Sequence, residues 1–182
     1  MGKRNSVANP IKLTAFDRKQ ENIVNVVIET PRGSRNKYAF DPKQRVFTLK
    51  KVLPEGMVFP YDFGFIPSTH GEDGDPIDVL LLMDQPAFPG CVVQARLVGV
   101  IEGEQTKDGN TERNDRVIAV AESNHTHSDV KSIKDLNESL LTEVEKFFVN
   151  YHSNDRSEFR VLGCKGPQAA RNCVTRSHPK AA

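Results

Sequence analysis

Short runs of apolar and β-branched residues alternate with turn residues over the first two thirds of the chain. Several of these runs end at a proline or an aspartate, which are residues that commonly form turns. The pattern predicts β-strands over residues 22–30, 37–40, 45–50, 79–83, 91–101 and 115–121. The polar, charged segment 102–114 is predicted to be a loop. The aromatic segment 59–67 is broken by proline and glycine, which suits either a backbone that passes close to a site or plain aromatic packing.

A helical pattern appears only in the last third of the chain. Apolar residues recur there at spacings of three and four, with charged residues between them, at Leu140, Leu141, Val144, Phe147, Phe148 and Tyr151. Asn137 is placed to cap the start of this helix. A short strand over 159–162 and a short helix over 168–175 are predicted to follow. Many strands followed by one or two helices predict an α+β fold with a strand-rich barrel core.

Length and composition place this chain among ordinary globular proteins. Its 182 residues suffice for one domain, which we predict over 21–182, after a polar and basic N-terminal arm over 1–20. A net charge of +1 gives no reason to expect binding to nucleic acid or to a membrane surface. The arm lacks the apolar stretch of a secretory signal, and three cysteines without metal-site spacing suggest reduced thiols. We therefore expect a cytoplasmic protein.

The chemistry of the chain is concentrated in the acidic stretch 72–78, whose sequence is EDGDPID. Gly74 permits a tight turn and Pro76 fixes the backbone after it, so Asp73 and Asp75 are predicted to lie on a bend. Asp78 begins a buried apolar strand. Three aspartates this close repel one another unless a cation lies between them, and a hard cation such as Mg²⁺ prefers carboxylate oxygens. A solvated acidic turn is the alternative interpretation.

Because of this acidic stretch, the chain resembles the soluble family I inorganic pyrophosphatases. Residues 73–79 (DGDPIDV) match the signature of that family, and the resemblance extends from about Asn22 to Tyr151. It includes Val27–Pro31, Lys37 with Tyr38, and Phe63–Phe65. The resemblance implies a five-stranded OB-like barrel with additional strands and one or two C-terminal helices packed outside. It also implies Mg²⁺-dependent hydrolysis of inorganic pyrophosphate to two orthophosphates by a homo-oligomer, a hexamer in bacterial relatives of this size.

The resemblance also assigns roles to individual residues. Asp75 corresponds to the family residue that contacts the attacking water, as metal ligand and general base. Asp73 and Asp78 would be further metal ligands, and Glu29 would support the metal site. The groups that would face phosphate oxygens are Lys37, Lys51, Arg116 and Tyr151, and the first three would also stabilise charge during catalysis.

Several positions depart from the family pattern, so the chain resembles a divergent member. Lys51 stands where the family has arginine, and Phe63 stands where a tyrosine hydroxyl is expected. Ala39 replaces an acidic residue, Arg116 replaces a lysine, and His152 follows Tyr151 in place of a lysine. Two family aspartates are replaced at positions that align with Gln105 and Asn114. Candidates to supply the missing carboxylates are Glu104, Asp108 and Asp115.

Two other functions stay open from the sequence. One is a phosphohydrolase of the same fold that acts on another phosphoanhydride or a phosphate ester. The other is a weakly active or non-catalytic phosphate-binding relative, although five charged groups aimed at one cavity are costly without a ligand. His125 and His127 could bind a metal, but a polar loop explains this pair more simply because no third ligand lies at an ordinary spacing.

Overall fold

The computed structural model describes residues 9–17, 20 and 22–177. The strands in chain order are β1 (Ile23–Thr30), β2 (Asn36–Asp41), β3 (Val46–Val52), β4 (Asp62–Phe65), β5 (Asp78–Leu82), β6 (Val92–Lys107), β7 (Asn110–Arg113), β8 (Arg116–Ala121) and β9 (Glu158–Lys165). The α-helices of the described residues are α1 (Glu138–Ser153) and α2 (Pro167–Ser177). None of the described helices has the length and apolar character needed to span a membrane.

Five strands close into a ring, in the order β1, β4, β5, β8 and β6, because β6 pairs back onto β1. Neighbouring strands of the ring are antiparallel except β5 and β8, which are parallel. The far end of the long strand β6 leaves the ring and pairs with β7 and β9. Strands β2 and β3 form a separate hairpin. The predicted α+β fold with a five-stranded barrel and outer helices is confirmed.

Both faces of strand β5 are covered, which explains its continuous apolar sequence. Val79 and Leu81 pack in a cluster that contains residues of α2, whereas Leu80 and Leu82 pack in a cluster that contains residues of α1. All four side chains are almost fully buried. Because β5 is held from both sides, Asp78 at its start has a fixed backbone position.

Helix α1 begins where the sequence predicts. The side chain of Asn137 accepts a hydrogen bond from the backbone N–H of Ser139, which caps the first turn. Val144, Phe148 and His152 are the buried residues of the helix and follow one another at intervals of four. This face packs against the sheet, and the last turns of α1 thereby bring Tyr151 and His152 to the edge of a large cavity.

The predicted loop over 102–114 is wrong, because most of that segment is a hairpin. Strand β6 continues to Lys107, and β7 returns from Asn110. The turn between them is Asp108-Gly109, with both residues at positive φ, 52° and 82°. That dipeptide is typical of a two-residue hairpin turn. The hairpin is exposed and polar, so the apolar pattern gave no sign of it.

Strand β4 was also absent from the prediction. It contains only four residues and is flanked by prolines at positions 60 and 67. Its buried Asp62 accepts hydrogen bonds from the backbone N–H groups of Arg32, at 2.6 Å, and Ala87, at 2.8 Å. These bonds join three segments that are distant in sequence.

The described part of the N-terminal arm packs against the barrel. The carbonyl of Ile11 accepts from Ser68, the carbonyl of Ala15 accepts from Asn25, and Phe16 forms a bridge with Val24. Residues 1–8, 18 and 19 of the predicted arm lie outside the described residues, and the boundary at residue 20 stays a prediction.

Candidate active site

A cavity of about 780 Å³ lies between the β2–β3 hairpin, the acidic turn, the start of β8 and the end of α1. Its charged and polar lining residues are Glu29, Lys37, Asp41, Lys43, Lys50, His70, Asp73, Asp75, Asp78, Gln105, Asn114, Arg116, Tyr151, His152 and Asp155. Its aromatic lining comes from Phe40, Phe59, Phe63, Phe65 and Phe148. Every residue that the sequence assigned to the site lines this cavity except Lys51.

One wall of the cavity is acidic. The turn that carries it is held by a hydrogen bond of 2.7 Å from the N–H of Gly71 to the carbonyl of Asp75, and Gly74 adopts a φ of 82°. Within the turn, the carboxylate of Asp73 accepts from the N–H of Asp75 at 3.1 Å. Desolvation raises the pKa of Asp73, and repulsion by Asp78 and Asp75 raises it further. The three aspartates therefore lie in one another's electrostatic field, as the sequence predicts.

This donor set fits a hard divalent cation in its chemistry, since its side-chain donors are carboxylate oxygens. Within the described residues, no group of three or more acidic, histidine or cysteine side chains is close enough together to enclose a metal ion. Asp73 and Asp75 are exposed and can change rotamer, whereas Asp78 is partly buried. Binding of a cation would therefore require the exposed carboxylates to turn toward Asp78.

In the same cavity, Lys37 forms an ion pair with Glu29 at 3.0 Å, and both side chains are nearly buried. The other oxygen of Glu29 accepts from the N–H of Phe40 at 2.8 Å. Burial raises the pKa of Glu29, and Lys37 partly offsets that effect. The ammonium of Lys37 also lies 4.2 Å from the ring centroid of Phe63. The aromatic ring at position 63 thus contacts the lysine through its face, without the hydroxyl that the family pattern expects.

Arg116 carries the buried positive charge of the cavity. Its Nη1 lies 2.8 Å from Oδ2 of Asp78, and its side chain is only 5% exposed. The same nitrogen donates to Oδ1 of Asn114, and Nη2 lies 3.5 Å from Nε2 of His152. The guanidinium is also packed between aromatic rings, 5.4 Å from the centroid of Phe148 and 5.7 Å from that of Phe159.

Lys51 is not among the residues that line the cavity. Its ammonium pairs with the carboxylate of Asp155 and lies 3.6 Å from the ring centroid of Tyr151. Lys50 lines the cavity instead. The cause is a β-bulge, since Lys37 pairs with Lys51 but Tyr38 pairs with Leu49, so Lys50 is the extra residue. Sequence reasoning missed both Lys50 and Asp155, and the spacing of four between Tyr151 and Asp155 at the end of α1 was the available signal.

The family model for inorganic pyrophosphatase matches residues 26–182 of this chain. This chain belongs to the inorganic pyrophosphatase family. It is 42% identical over 147 residues to the inorganic pyrophosphatase of Synechocystis sp., with 81% of this chain and 85% of the relative covered. It is 37% identical over 177 residues to that of Thermus thermophilus, with 93% and 98% covered.

Solved structures of the inorganic pyrophosphatase family share the fold. The crystal structure of inorganic pyrophosphatase from Thermus thermophilus matches with a TM-score of 0.85 at 36% identity, covering 93% of this chain and 97% of that one. The inorganic pyrophosphatase of Helicobacter pylori matches with a TM-score of 0.80 at 32% identity, covering 87% and 92%. The resemblance drawn from the sequence is confirmed.

Gln105 and Asn114, which the resemblance aligns with two aspartates, both line the cavity. Nδ2 of Asn114 donates to Oε1 of Gln105 at 2.6 Å, and Oδ1 of Asn114 accepts from Arg116. The three side chains form a hydrogen-bonded chain from β6 to the start of β8. The two amides contribute hydrogen bonds but no negative charge to this part of the cavity.

The three candidate replacements for those aspartates have different surroundings. Glu104 pairs with Arg160 at 2.6 Å, and Asp115 accepts from Arg113 at 2.8 Å and from the N–H of Gly103. Neither of these two carboxylates lines the main cavity. Asp108 lies at the hairpin tip, where it lines an adjoining cleft of about 390 Å³ together with Asp73 and Asp75. Asp115 lines a further cavity of about 570 Å³ together with Asp73 and Asp78. Of the three candidates, the structure therefore brings both Asp108 and Asp115 next to the acidic turn.

The histidines of the His125–His127 segment belong to a loop that is held by Asp84. The carboxylate of Asp84 accepts from the N–H of His125 at 2.7 Å and from the N–H and hydroxyl of Thr126. These hydrogen bonds lower the pKa of Asp84 to about 2. These hydrogen bonds give the segment a structural explanation, as a polar loop whose conformation is fixed by Asp84.

His152 is buried and neutral. Its ring stacks on Phe159 at 5.0 Å and an angle of 12°, and Nδ1 lies 3.3 Å from the hydroxyl of Ser157. Burial lowers its pKa to about 3, and the nearby charges of Arg116 and Lys51 add to that shift. A neutral imidazole therefore adds no positive charge beside Arg116 and Lys51.

The pKa of His152 predicts a loss of stability in acid. Between its ordinary pKa of 6.5 and about 3, the unfolded chain binds a proton that the folded chain excludes. Stability from this group is therefore complete above pH 6.5 and falls by at most about 1.4 kcal/mol per pH unit below it. We expect the free energy of unfolding to fall more steeply from pH 7.5 to 4.5 in the wild type than in His152→Gln. His70→Gln, at an exposed histidine, should behave like the wild type, and equal slopes for all three proteins would contradict the assignment.

Proposed function

We propose that this protein hydrolyses inorganic pyrophosphate to two orthophosphates and uses Mg²⁺ to do so. The observation that carries the proposal is the composition of the cavity, in which the carboxylates of Asp73, Asp75 and Asp78 line the same space as the cations Lys37 and Arg116. A polyanionic substrate needs positive charge on both sides of the bond that breaks. Fixed cations supply one part and cations held by the carboxylates supply the other.

Asp73, Asp75 and Asp78 would hold Mg²⁺, and Glu29 would support the site from behind Lys37. When bound, Mg²⁺ offsets the charge of pyrophosphate and lowers the pKa of a water molecule. Asp75 is the residue of the turn that we assign as general base, so its carboxylate accepts the proton of the attacking water. The water oxygen bonds to one phosphorus atom while the bridging P–O bond breaks, and the second orthophosphate leaves.

Four side chains would bind the phosphate oxygens, namely Lys37, Lys51, Arg116 and Tyr151. Arg116 and Lys37 begin in ion pairs with carboxylates of the same cavity, so each exchanges one anion for another when substrate arrives. Their positions are fixed beforehand by Phe63, Phe148 and Phe159. Such preorganised charges stabilise the negative charge that develops on the leaving phosphate.

Phosphate release tests the substrate directly. Wild-type protein would be assayed with pyrophosphate, ATP and tripolyphosphate at equal concentrations, each with and without Mg²⁺. We expect Mg²⁺-dependent release that is fastest with pyrophosphate. A faster rate with ATP or tripolyphosphate would show another phosphohydrolase on this fold, and no release from any of the three would indicate a binding protein.

Thermal melting tests the metal. Because the acidic turn is destabilised by repulsion among its carboxylates, millimolar Mg²⁺ should raise the melting temperature and EDTA should lower it. Asp73→Asn combined with Asp78→Asn should remove most of the Mg²⁺ response. A melting temperature that does not change with Mg²⁺ in the wild type would count against an ordered metal site.

The two adjacent lysines give a sharp test of the phosphate contacts. The ammonium of Lys51 is held at Asp155 and Tyr151, both of which line the cavity. Lys50 lines the cavity itself, but its side chain is exposed at the bulge. We expect Lys51→Ala to lose about tenfold or more in kcat/KM, since a hydrogen bond to a charged group contributes about 1.5–3 kcal/mol. Lys50→Ala should change kcat/KM by less than about twofold. The opposite ranking would mean that the bulge makes Lys50 the phosphate contact.

We also propose a cytoplasmic homo-oligomer, a hexamer by resemblance. Strand β3 supports an interface, because Val46, Leu49 and Val52 are each about half exposed, at 47%, 54% and 55%. Exposed apolar side chains on one strand favour contact with another protein surface. Light scattering coupled to gel filtration gives the mass, and a monomer at micromolar concentration would contradict this part of the proposal.

A further inference from the structure

The ion pair of Arg116 with Asp78 joins a buried cation to a carboxylate that is partly accessible. The arginine side chain is 5% exposed and the aspartate side chain is 27% exposed. Asp78 is the ion-pair partner of Arg116 within 4.0 Å among the residues that the structure describes. Among the described residues, the negative charge that compensates Arg116 at this distance is therefore one that we have assigned to the metal site.

The other contacts of Arg116 are neutral and belong to well-packed residues. They are Oδ1 of Asn114, the carbonyl of Asp115 at 3.3 Å, and Nε2 of the neutral His152. Nε of Arg116 is buried without a hydrogen-bond partner. A guanidinium held in this way cannot move into water when it loses Asp78, and a buried charge without a counter-ion is strongly unfavourable.

We propose that Arg116 is the resident counter-ion of Asp78, and that this ion pair makes the binding of a divalent cation and of phosphate interdependent. This proposal rests on the proposed function. A cation that binds Asp78 competes with Arg116 for the negative charge of that carboxylate, so a cation alone binds more weakly than it does with phosphate present. A phosphate oxygen then compensates Arg116 and releases Asp78 to the cation. Each ligand thereby removes the electrostatic cost of binding the other.

The neutral pair of Gln105 and Asn114 strengthens this dependence. A carboxylate at position 114 would lie in hydrogen-bond contact with Arg116 and would compensate it whether or not Asp78 held a cation. The amide of Asn114 accepts a hydrogen bond but brings no charge. The coupling is thus a consequence of residues in which this chain departs from the family pattern.

Calorimetric titration of Mn²⁺, with and without inorganic phosphate, measures the coupling without turnover. We expect phosphate to tighten Mn²⁺ binding on the order of tenfold in the wild type. In Arg116→Gln, Mn²⁺ alone should bind more tightly than to the wild type, and phosphate should change its affinity less than about twofold. Arg116→Lys keeps the charge and should keep most of the coupling. Arg96→Gln removes another partly buried arginine that pairs with a carboxylate, Glu122, and should match the wild type.

Two results would overturn the inference. One is equal Mn²⁺ affinity with and without phosphate in the wild type, and the other is full coupling in Arg116→Gln. Circular dichroism establishes that each variant is folded, and Arg116→Lys provides the comparison if the glutamine variant is not. Pyrophosphate hydrolysis by the wild type is measured separately. Coupled binding without hydrolysis would reject the proposed function alone, and hydrolysis without coupling would reject this inference alone.

Discussion

Asp75→Asn should fold like the wild type yet lose at least about a hundredfold in pyrophosphate hydrolysis, since a general base contributes about 10²–10⁴-fold. The side chain is exposed at the cavity, so an amide of the same shape removes charge without disturbing the packing. Its backbone remains anchored by the hydrogen bond from Gly71 to its carbonyl and by its own N–H to Asp73. The rate of Mg²⁺-dependent phosphate release is the measurement, and circular dichroism establishes the fold.

The control for Asp75→Asn should come from the same turn. Glu72→Gln removes an exposed carboxylate three positions earlier that does not line the main cavity, and it should change the rate less than about twofold. Asp84→Asn is a poorer control, because Asp84 holds the 125–126 loop by three hydrogen bonds and would lower stability as well. If Asp75→Asn retained most of the wild-type rate, Asp75 would not be the base.

The parts of this protein that could be predicted from sequence are those with local causes. The acidic turn follows from Gly74 and Pro76, and the start of α1 follows from Asn137. The buried strand after Asp78 follows from its unbroken apolar run. Each of these signals lies within a few residues of the feature that it predicts, so no knowledge of distant contacts was needed.

Features that depend on distant partners could not be predicted in this way. The pairing of Arg116 with Asp78 and of Lys51 with Asp155 joins residues that are far apart in sequence. The bulge opposite Lys37 shifts one residue of β3, which reverses the expected roles of two adjacent lysines in lining the cavity. The sequence of β3 alone does not reveal that shift, because the shift arises from the register of β3 with β2.

The pairing of strand β4 with its two neighbours explains the glycine at position 64. Gly64 pairs with Ile28 of β1 on one side and with Val79 of β5 on the other. A Cβ atom at position 64 would lie 2.0 Å from the carbonyl oxygen of Val27 and 2.9 Å from its carbonyl carbon. These are backbone atoms of a central strand, so no side-chain rotation can relieve the overlap. Glycine is required at this position by the close approach of two strands.

Gly64→Ala is therefore expected to lower the free energy of unfolding by about 3 kcal/mol or more, at or beyond the upper end of the usual cost of overpacking. Strand β4 also pairs Phe65 with Asp78, so its displacement would move the acidic wall and reduce hydrolysis in any protein that still folds. Urea unfolding measures the stability, and the soluble fraction on expression reports a variant too unstable to purify. Gly166→Ala is the matched control, since the nearest atom to its added Cβ would be the hydroxyl of Ser132 at 3.8 Å. A Gly64→Ala protein as stable as Gly166→Ala would mean that β1 and β4 are farther apart than this structure places them.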